Sequence, residues 1–368
     1  MPNSMLLPQT ENSGKIWRIL LLLFVLLVFF FSIELLADSI KLFGAGFAKT
    51  LFSFASTPII ALFIGLAATT LMQSSSASTS IMVGMVSSGS LPLSLAVPMV
   101  MGANIGTTVT NTMVAMGHIT NPTEFRRAFS AATVHDMFNM LAVLIFFPLE
   151  LTTGILSKTG LALATLVEGS SGLALFSPVK AVLKPIVKGF LHSVNDNPWL
   201  GLLVAVAALY FAIVMLTKVL KGIFLRNVEN AFQGGIFDNA AVAFAMGIAL
   251  TFLVQSSSIT TSMVVPMAGA GLLTIQQIFP YTLGANIGTT ITAFMAAMLT
   301  GNHNAVALSM VHFAFNAYGT LLLWPMRRLP IWMAETLATQ TLRSRLYPLL
   351  YLVVLFLALP LAAIYLTH

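Results

Sequence analysis

Two short polar runs, Gln73-Ser74-Ser75-Ser76 and Gln255-Ser256-Ser257-Ser258, stand in apolar sequence 182 residues apart. Each offers one amide and three hydroxyls and carries no charge. A second pair, Gly102-Ala103-Asn104-Ile105-Gly106-Thr107-Thr108 and Gly284-Ala285-Asn286-Ile287-Gly288-Thr289-Thr290, recurs at the same offset of 182. Hydroxyls, amide oxygens and carbonyls freed by a broken helix are hard neutral ligands, which suit an alkali cation. N–H groups exposed at a helix start, helped by the dipole, attract an anion. The same residues have blander uses. Ser runs are common in linkers, and Ser and Thr in membrane helices serve packing and interhelical hydrogen bonding. Gly102 and Gly106, four apart, also read as a small-residue packing seam. Duplication of both runs, each serine triplet led by Gln, favours a site built from both halves.

A third pattern, V-H-x-x-F-N, recurs in Val134–Asn139 and Val311–Asn316 at an offset of 177. His135 and Asn139 are four apart and share a helix face, as do His312 and Asn316. An intramembrane His fits a proton relay, a ligand contact or an interhelical hydrogen bond. Asp136 has Phe313 as its counterpart, so the two halves do not both need it. A cap or local hydrogen bond is expected of it.

The elements that position these residues are helices in lipid. The chain has 368 residues, of which 58% are hydrophobic and 8% charged, where a soluble protein carries about 25% charged. Ile16–Leu36, Trp199–Leu216 and Leu346–Leu366 are apolar runs near the roughly 20 residues that cross a bilayer core. The short alternating segments of a β-barrel are missing. Ile16–Leu36 is too long for a signal-peptide core and is expected to stay as the first span. Without cysteine, no disulfide, cysteine-ligated zinc site or iron–sulfur cluster is expected. The sequence carries no nucleophile elbow, Walker A, H-E-x-x-H or dinucleotide fingerprint. It reads as a non-enzyme without a bound cofactor. Absence of a nucleotide-binding motif makes transport ion-driven or passive. The excess of 17 Lys and Arg over 11 Asp and Glu reads as cytoplasmic bias of a membrane protein, not as nucleic-acid binding.

Pro58–Met72 and Ile81–Val86, flanking the first serine run, are too short for two full spans. They read as a re-entrant hairpin with the serines at its tip, lining a cavity. Gly247–Thr261 makes the second. Basic groups set orientation: Lys15 and Arg18, Arg126 and Arg127, Lys218 to Arg226, and Arg327 to Arg345. Placing all of them in the cytoplasm makes the halves inverted with respect to each other, a recurring transporter plan. Lys158, Lys180, Lys184 and Lys188 then fall outside. The expected organisation is a cytoplasmic N-terminus 1–15, a first repeat 16–150, and an extracytoplasmic linker 151–198. A second repeat 199–326, a cytoplasmic loop 327–345 and an additional C-terminal helix 346–368 with an external end complete it. Segments 41–54 and 223–237 read as amphipathic interface helices. The fold class is thus an all-α polytopic membrane protein of two inverted-topology repeats, each with a re-entrant hairpin.

In this order the motifs resemble the type II sodium-dependent phosphate cotransporter family, as a compact bacterial member. The resemblance rests on Met101–Thr112, Glu124–Phe129, Val134–Asn139, Phe146–Glu150, Leu253–Ser258, Leu283–Thr290 and Leu322–Pro330. It implies sodium-driven uptake of inorganic phosphate by alternating access across the cell (inner) membrane; the sequence leaves monomer and homodimer both open. It implies phosphate contacts from Ser74, Ser75, Ser76, Ser256, Ser257, Ser258, Asn104 and Asn286. It implies sodium, as co-substrate, at Gln73, Ser76, Thr107, Gln255, Ser258 and Thr289. The large disulfide-bonded extracellular loop of animal members is reduced to about 152–197, without cysteine. A sodium symporter for a dicarboxylate or sulfate, and a channel or phosphate-sensing scaffold, are the competing readings.

Overall fold

A computed structural model describes residues 9–43, 57–169, 177–233, 235–344 and 346–366. The described residues are helical and contain no strand. In chain order the helices are α1 (Gln9–Leu42), α2 (Pro58–Met72), α3 (Ser75–Ser88), α4 (Leu93–Gly106), α5 (Val109–Met116) and α6 (Pro122–Thr153). Next come α7 (Ile155–Gly169), α8 (Ser177–Ser193), α9 (Pro198–Gln233), α10 (Ala240–Val254), α11 (Ser257–Ser262) and α12 (Val264–Gly269). The last are α13 (Ile275–Thr300), α14 (His303–Leu323), α15 (Arg328–Gln340), α16 (Leu346–Val353) and α17 (Leu359–Leu366), the final two joined by a π-helical turn, Val354–Ala358.

Among the described residues, seven helical stretches are long and apolar enough to cross a membrane. They are Ile19–Leu42, Leu93–Met116, Pro122–Thr153, Pro198–Leu216, Ile275–Thr300, His303–Leu323 and Leu346–Leu366. The surface has the matching polarity. Trp17, Phe24, Trp199, Leu203, Leu321 and Leu350 stand exposed, while Ser75, Ser76, Asn104, Thr107, Asn139, Asn286 and Asn316 are buried. In water such a surface would aggregate; in hydrocarbon it costs nothing. The chain is a multi-pass helical membrane protein.

Local geometry recurs at the 182-residue offset. Helices α2 and α10 begin and end at equivalent positions, and each ends on a glutamine in the left-handed region, Gln73 (φ 51°) and Gln255 (φ 55°). The next residue caps a new helix: Ser74 Oγ accepts the Ala77 amide and Ser256 Oγ accepts the Ile259 amide. A Ser N-cap is among the best, so the serine runs open helices rather than form loops. Helix α2 lies on α4, and α10 on α13, with backbone against backbone. A Cβ on Gly102 would sit 1.9 Å from the Leu62 carbonyl oxygen, and one on Gly284 would sit 2.0 Å from that of Phe244. Those glycines are the packing seam that the four-residue spacing suggests.

The copies also differ. The first G-A-N-I-G-T-T run ends α4, and Thr107 and Thr108 form a turn before α5; the second lies inside the unbroken α13. The segment expected as a linker holds two helices, α7 and α8, and α7 packs on α14, where Thr159 Oγ1 meets the Tyr318 hydroxyl at 2.9 Å. Of the two expected interface helices, 44–54 lies outside the described residues, and 223–233 is the continuation of α9.

Candidate functional site

The two serine tips come together in the interior. Ser76 Oγ reaches toward the backbone oxygen of Gln255 at 3.4 Å, although 179 residues separate them. Ser258 Oγ reaches toward the backbone oxygen of Thr107 at 3.3 Å. One residue pair thus links tip to tip, and another links the second tip to the break after α4. Thr261 Oγ1 meets the Asn111 side-chain amide at 3.0 Å, which ties α11 to α5. Ser75, Ser76, Ser257 and Ser258 are all buried.

Within each tip the hydroxyls one turn on bond back to the helix. Thr79 Oγ1 donates to the Ser75 oxygen and Thr261 Oγ1 to the Ser257 oxygen, both at 2.7 Å. Thr107 and Thr289 donate to Ala103 and Ala285, four residues back, at 2.9 and 3.0 Å. Ser74 and Ser256 spend their oxygens as caps. The hydroxyls of Ser76 and Ser258 therefore face the neighbouring half instead of their own helices.

The asparagines and histidines frame this centre. His135 Nε2 bonds Asn286 Oδ1 at 2.5 Å, and Asn286 Nδ2 donates to Asn139 Oδ1 at 2.9 Å. Asn139 Nδ2 donates to the Asn104 carbonyl at 3.1 Å; Asn316 Nδ2 approaches the Asn286 carbonyl at 3.5 Å. One strip of α6 thus holds both G-A-N-I-G-T-T segments. Asn104 Nδ2 returns to the Val100 carbonyl at 2.9 Å. Both polar atoms of the Asn286 side chain are engaged. Of the three roles open to the histidines, His135 performs the interhelical hydrogen bond. His312 is buried, and neither of its ring nitrogens has a hydrogen-bond partner among the described residues.

The glutamines break the symmetry. Gln255 is buried; its Oε1 accepts from Thr292 Oγ1 at 2.6 Å and its Nε2 donates to the Phe252 carbonyl at 2.6 Å. Gln73 is exposed. Thr110, the equivalent of Thr292, has its hydroxyl buried without a partner among the described residues. The motifs match, but one glutamine is latched and the other is open.

Asp136 corrects the expectation of a local cap. Its Oδ2 accepts from the Tyr351 hydroxyl at 2.5 Å, 215 residues away in α16. Two features without counterparts in the other half, the carboxylate and the final helix, are partners of each other. Tyr351, Asn111 and Thr292 all contact motif residues. The available signal is indirect: a buried charge in an apolar helix needs a donor somewhere.

A pair of apolar hairpins meeting at a buried, uncharged, oxygen-rich centre inside a multi-pass helical frame is the architecture of a membrane transporter. Two comparisons sharpen that class. The Na+/Pi-cotransporter family model matches residues 28–177 and 208–361, so this chain belongs to that family. It is 34% identical over 430 residues to sodium-dependent phosphate transport protein 2A of Rattus norvegicus, covering 95% of this chain and 68% of that protein. It is 31% identical over 459 residues to protein 2B of Homo sapiens, covering 96% of this chain and 66% of the relative. No solved structure matches.

Proposed function

We propose that this chain is a sodium-driven symporter of inorganic phosphate in the cell membrane, working by alternating access. The observation that carries the reading is the meeting of the two tips, Ser76 against Gln255 and Ser258 against Thr107. Family membership and relatives named for sodium-dependent phosphate transport support the substrates. Sodium is held by neutral oxygens of Gln73, Ser76, Thr107, Gln255, Ser258 and Thr289. Phosphate takes first-turn amides and hydroxyls of Ser74–Ser76 and Ser256–Ser258, beside Asn104. Asn286 lines the phosphate site while His135 and Asn139 hold its amide in place.

Neither motif contains Lys or Arg. A phosphate dianion without countercharge would be costly to bury. Co-binding of sodium supplies that charge and makes each ion's binding depend on the other. The halves are related by inversion, with the N-terminus in the cytoplasm and the C-terminus outside. The latched Gln255 and the open Gln73 are the two states that the halves exchange during turnover.

Radiolabelled phosphate uptake into proteoliposomes tests this. Accumulation above equilibrium is expected only with an inward sodium gradient. Equal uptake without the gradient would indicate a channel, and stronger competition by sulfate or a dicarboxylate would reassign the anion.

A further inference from the structure

A cavity of about 280 Å³ lies between the start of α6, the turn from α12 into α13, and α15. Arg126, Arg127, Ser130, Thr274, Gln276 and Glu335 line it. Both arginines are exposed, and among the described residues neither forms an ion pair. The one acid, Glu335, is engaged by Gln276 Nε2 at 3.5 Å. Arg127 lies so close over Gly271 that a Cβ there would be 2.7 Å from its Nη1, which holds the guanidinium at the wall of the cavity. The first-turn amides of α13, beside Thr274, add to the positive field. Nothing in the symport chemistry above uses this cavity.

The geometry points to a second anion site here, separate from the serine tips, that takes a phosphate group without sodium. Two unpaired guanidiniums present planar donor forks matched to an oxyanion, whereas the serine tips contain no cation of their own. Arg127 precedes His135 by eight residues on α6, roughly 12 Å of helix. The site therefore lies about two helical turns from the buried centre along α6. Its occupant is free phosphate or the phosphate of a lipid headgroup.

Equilibrium binding of radiolabelled inorganic phosphate to the purified full chain in detergent, with choline replacing sodium, tests the site. Wild type is expected to bind, and added potassium chloride to weaken binding. R126Q/R127Q is expected to lose affinity by about tenfold or more, the loss from removing charge-assisted bonds. E335Q, which removes the only acid in the lining, is expected to bind more tightly. Repeating the measurement in nanodiscs with phosphatidic acid separates the sources: loss of phosphate binding there, but not in zwitterionic discs, assigns the site to the headgroup. No sodium-free binding in any of these media, or equal binding by wild type and R126Q/R127Q, overturns the inference. Sodium-driven uptake measured on the same preparations reports on the symporter reading independently.

Discussion

Gln73 and Gln255 occupy the same uncommon backbone region but have opposite surroundings. A non-glycine residue held there costs of order 1–3 kcal/mol, so the conformation persists because something beyond local preference uses it. Q73A is expected to abolish sodium-coupled uptake while leaving the thermal midpoint nearly unchanged, since its exposed side chain has no hydrogen-bond partner among the described residues. Q255A is expected to lose uptake and also to unfold earlier. It strands Thr292, and a buried donor left unpaired costs about 1–3 kcal/mol. Uptake assays paired with melting curves in detergent separate the two; normal uptake in both variants would remove these glutamines from the site. N286A strands His135 Nε2 and Asn139 Oδ1 together, so its melting temperature is expected to fall further than that of Q255A. A midpoint equal to wild type would show that the asparagine network does not hold α6 against α13.

At the scale of elements, the hairpins depend on two devices, a serine cap and a glycine seam. S74A and S256A each remove an N-cap, expected to cost about 1 kcal/mol, while S74N keeps the cap and is expected to recover it. If S74N melts no higher than S74A, capping is not what the first serine does. G102A and G284A put a methyl about 2 Å from a backbone oxygen, where no side-chain movement can make room. Both are expected to reduce monodisperse protein sharply on size-exclusion chromatography. The helical class, the first arm Pro58–Met72 and the glycine seam are legible in the sequence, because local chemistry sets them; the second arm is not, since it starts at Ser75 on a serine cap and not at Ile81. The break after α4 is not. Two identical seven-residue runs adopt different continuations, and the difference lies a few residues downstream. Asn111 meets Thr261, while its counterpart Ala293 has no polar atom to offer. The meeting of Ser76 with Gln255 accords with the duplication, but the engagement of Asn286 by His135 and Asn139 needs three helices placed at once.

For the whole molecule, the unequal glutamines make a prediction that the cysteine-free sequence lets one test cleanly. Single variants Gln73→Cys and Gln255→Cys, in sodium-free detergent, are expected to react with a polar thiol reagent at different rates, Gln73→Cys the faster. Addition of sodium and phosphate is expected to change that ratio as the halves exchange states. Equal rates under every condition would mean that the asymmetry is not part of a transport cycle.

The contact between Asp136 and Tyr351 has a consequence for biogenesis. The two residues are 215 positions apart, and the acid enters the membrane with α6 long before α16 is made. Until the last span emerges, the nascent chain carries a carboxyl group in hydrocarbon with no phenol to meet it. A chain truncated ahead of Tyr351 keeps every repeated motif yet leaves the Asp136 carboxyl without its phenol donor, and is expected to accumulate less than the full chain, which a comparison of membrane expression levels checks.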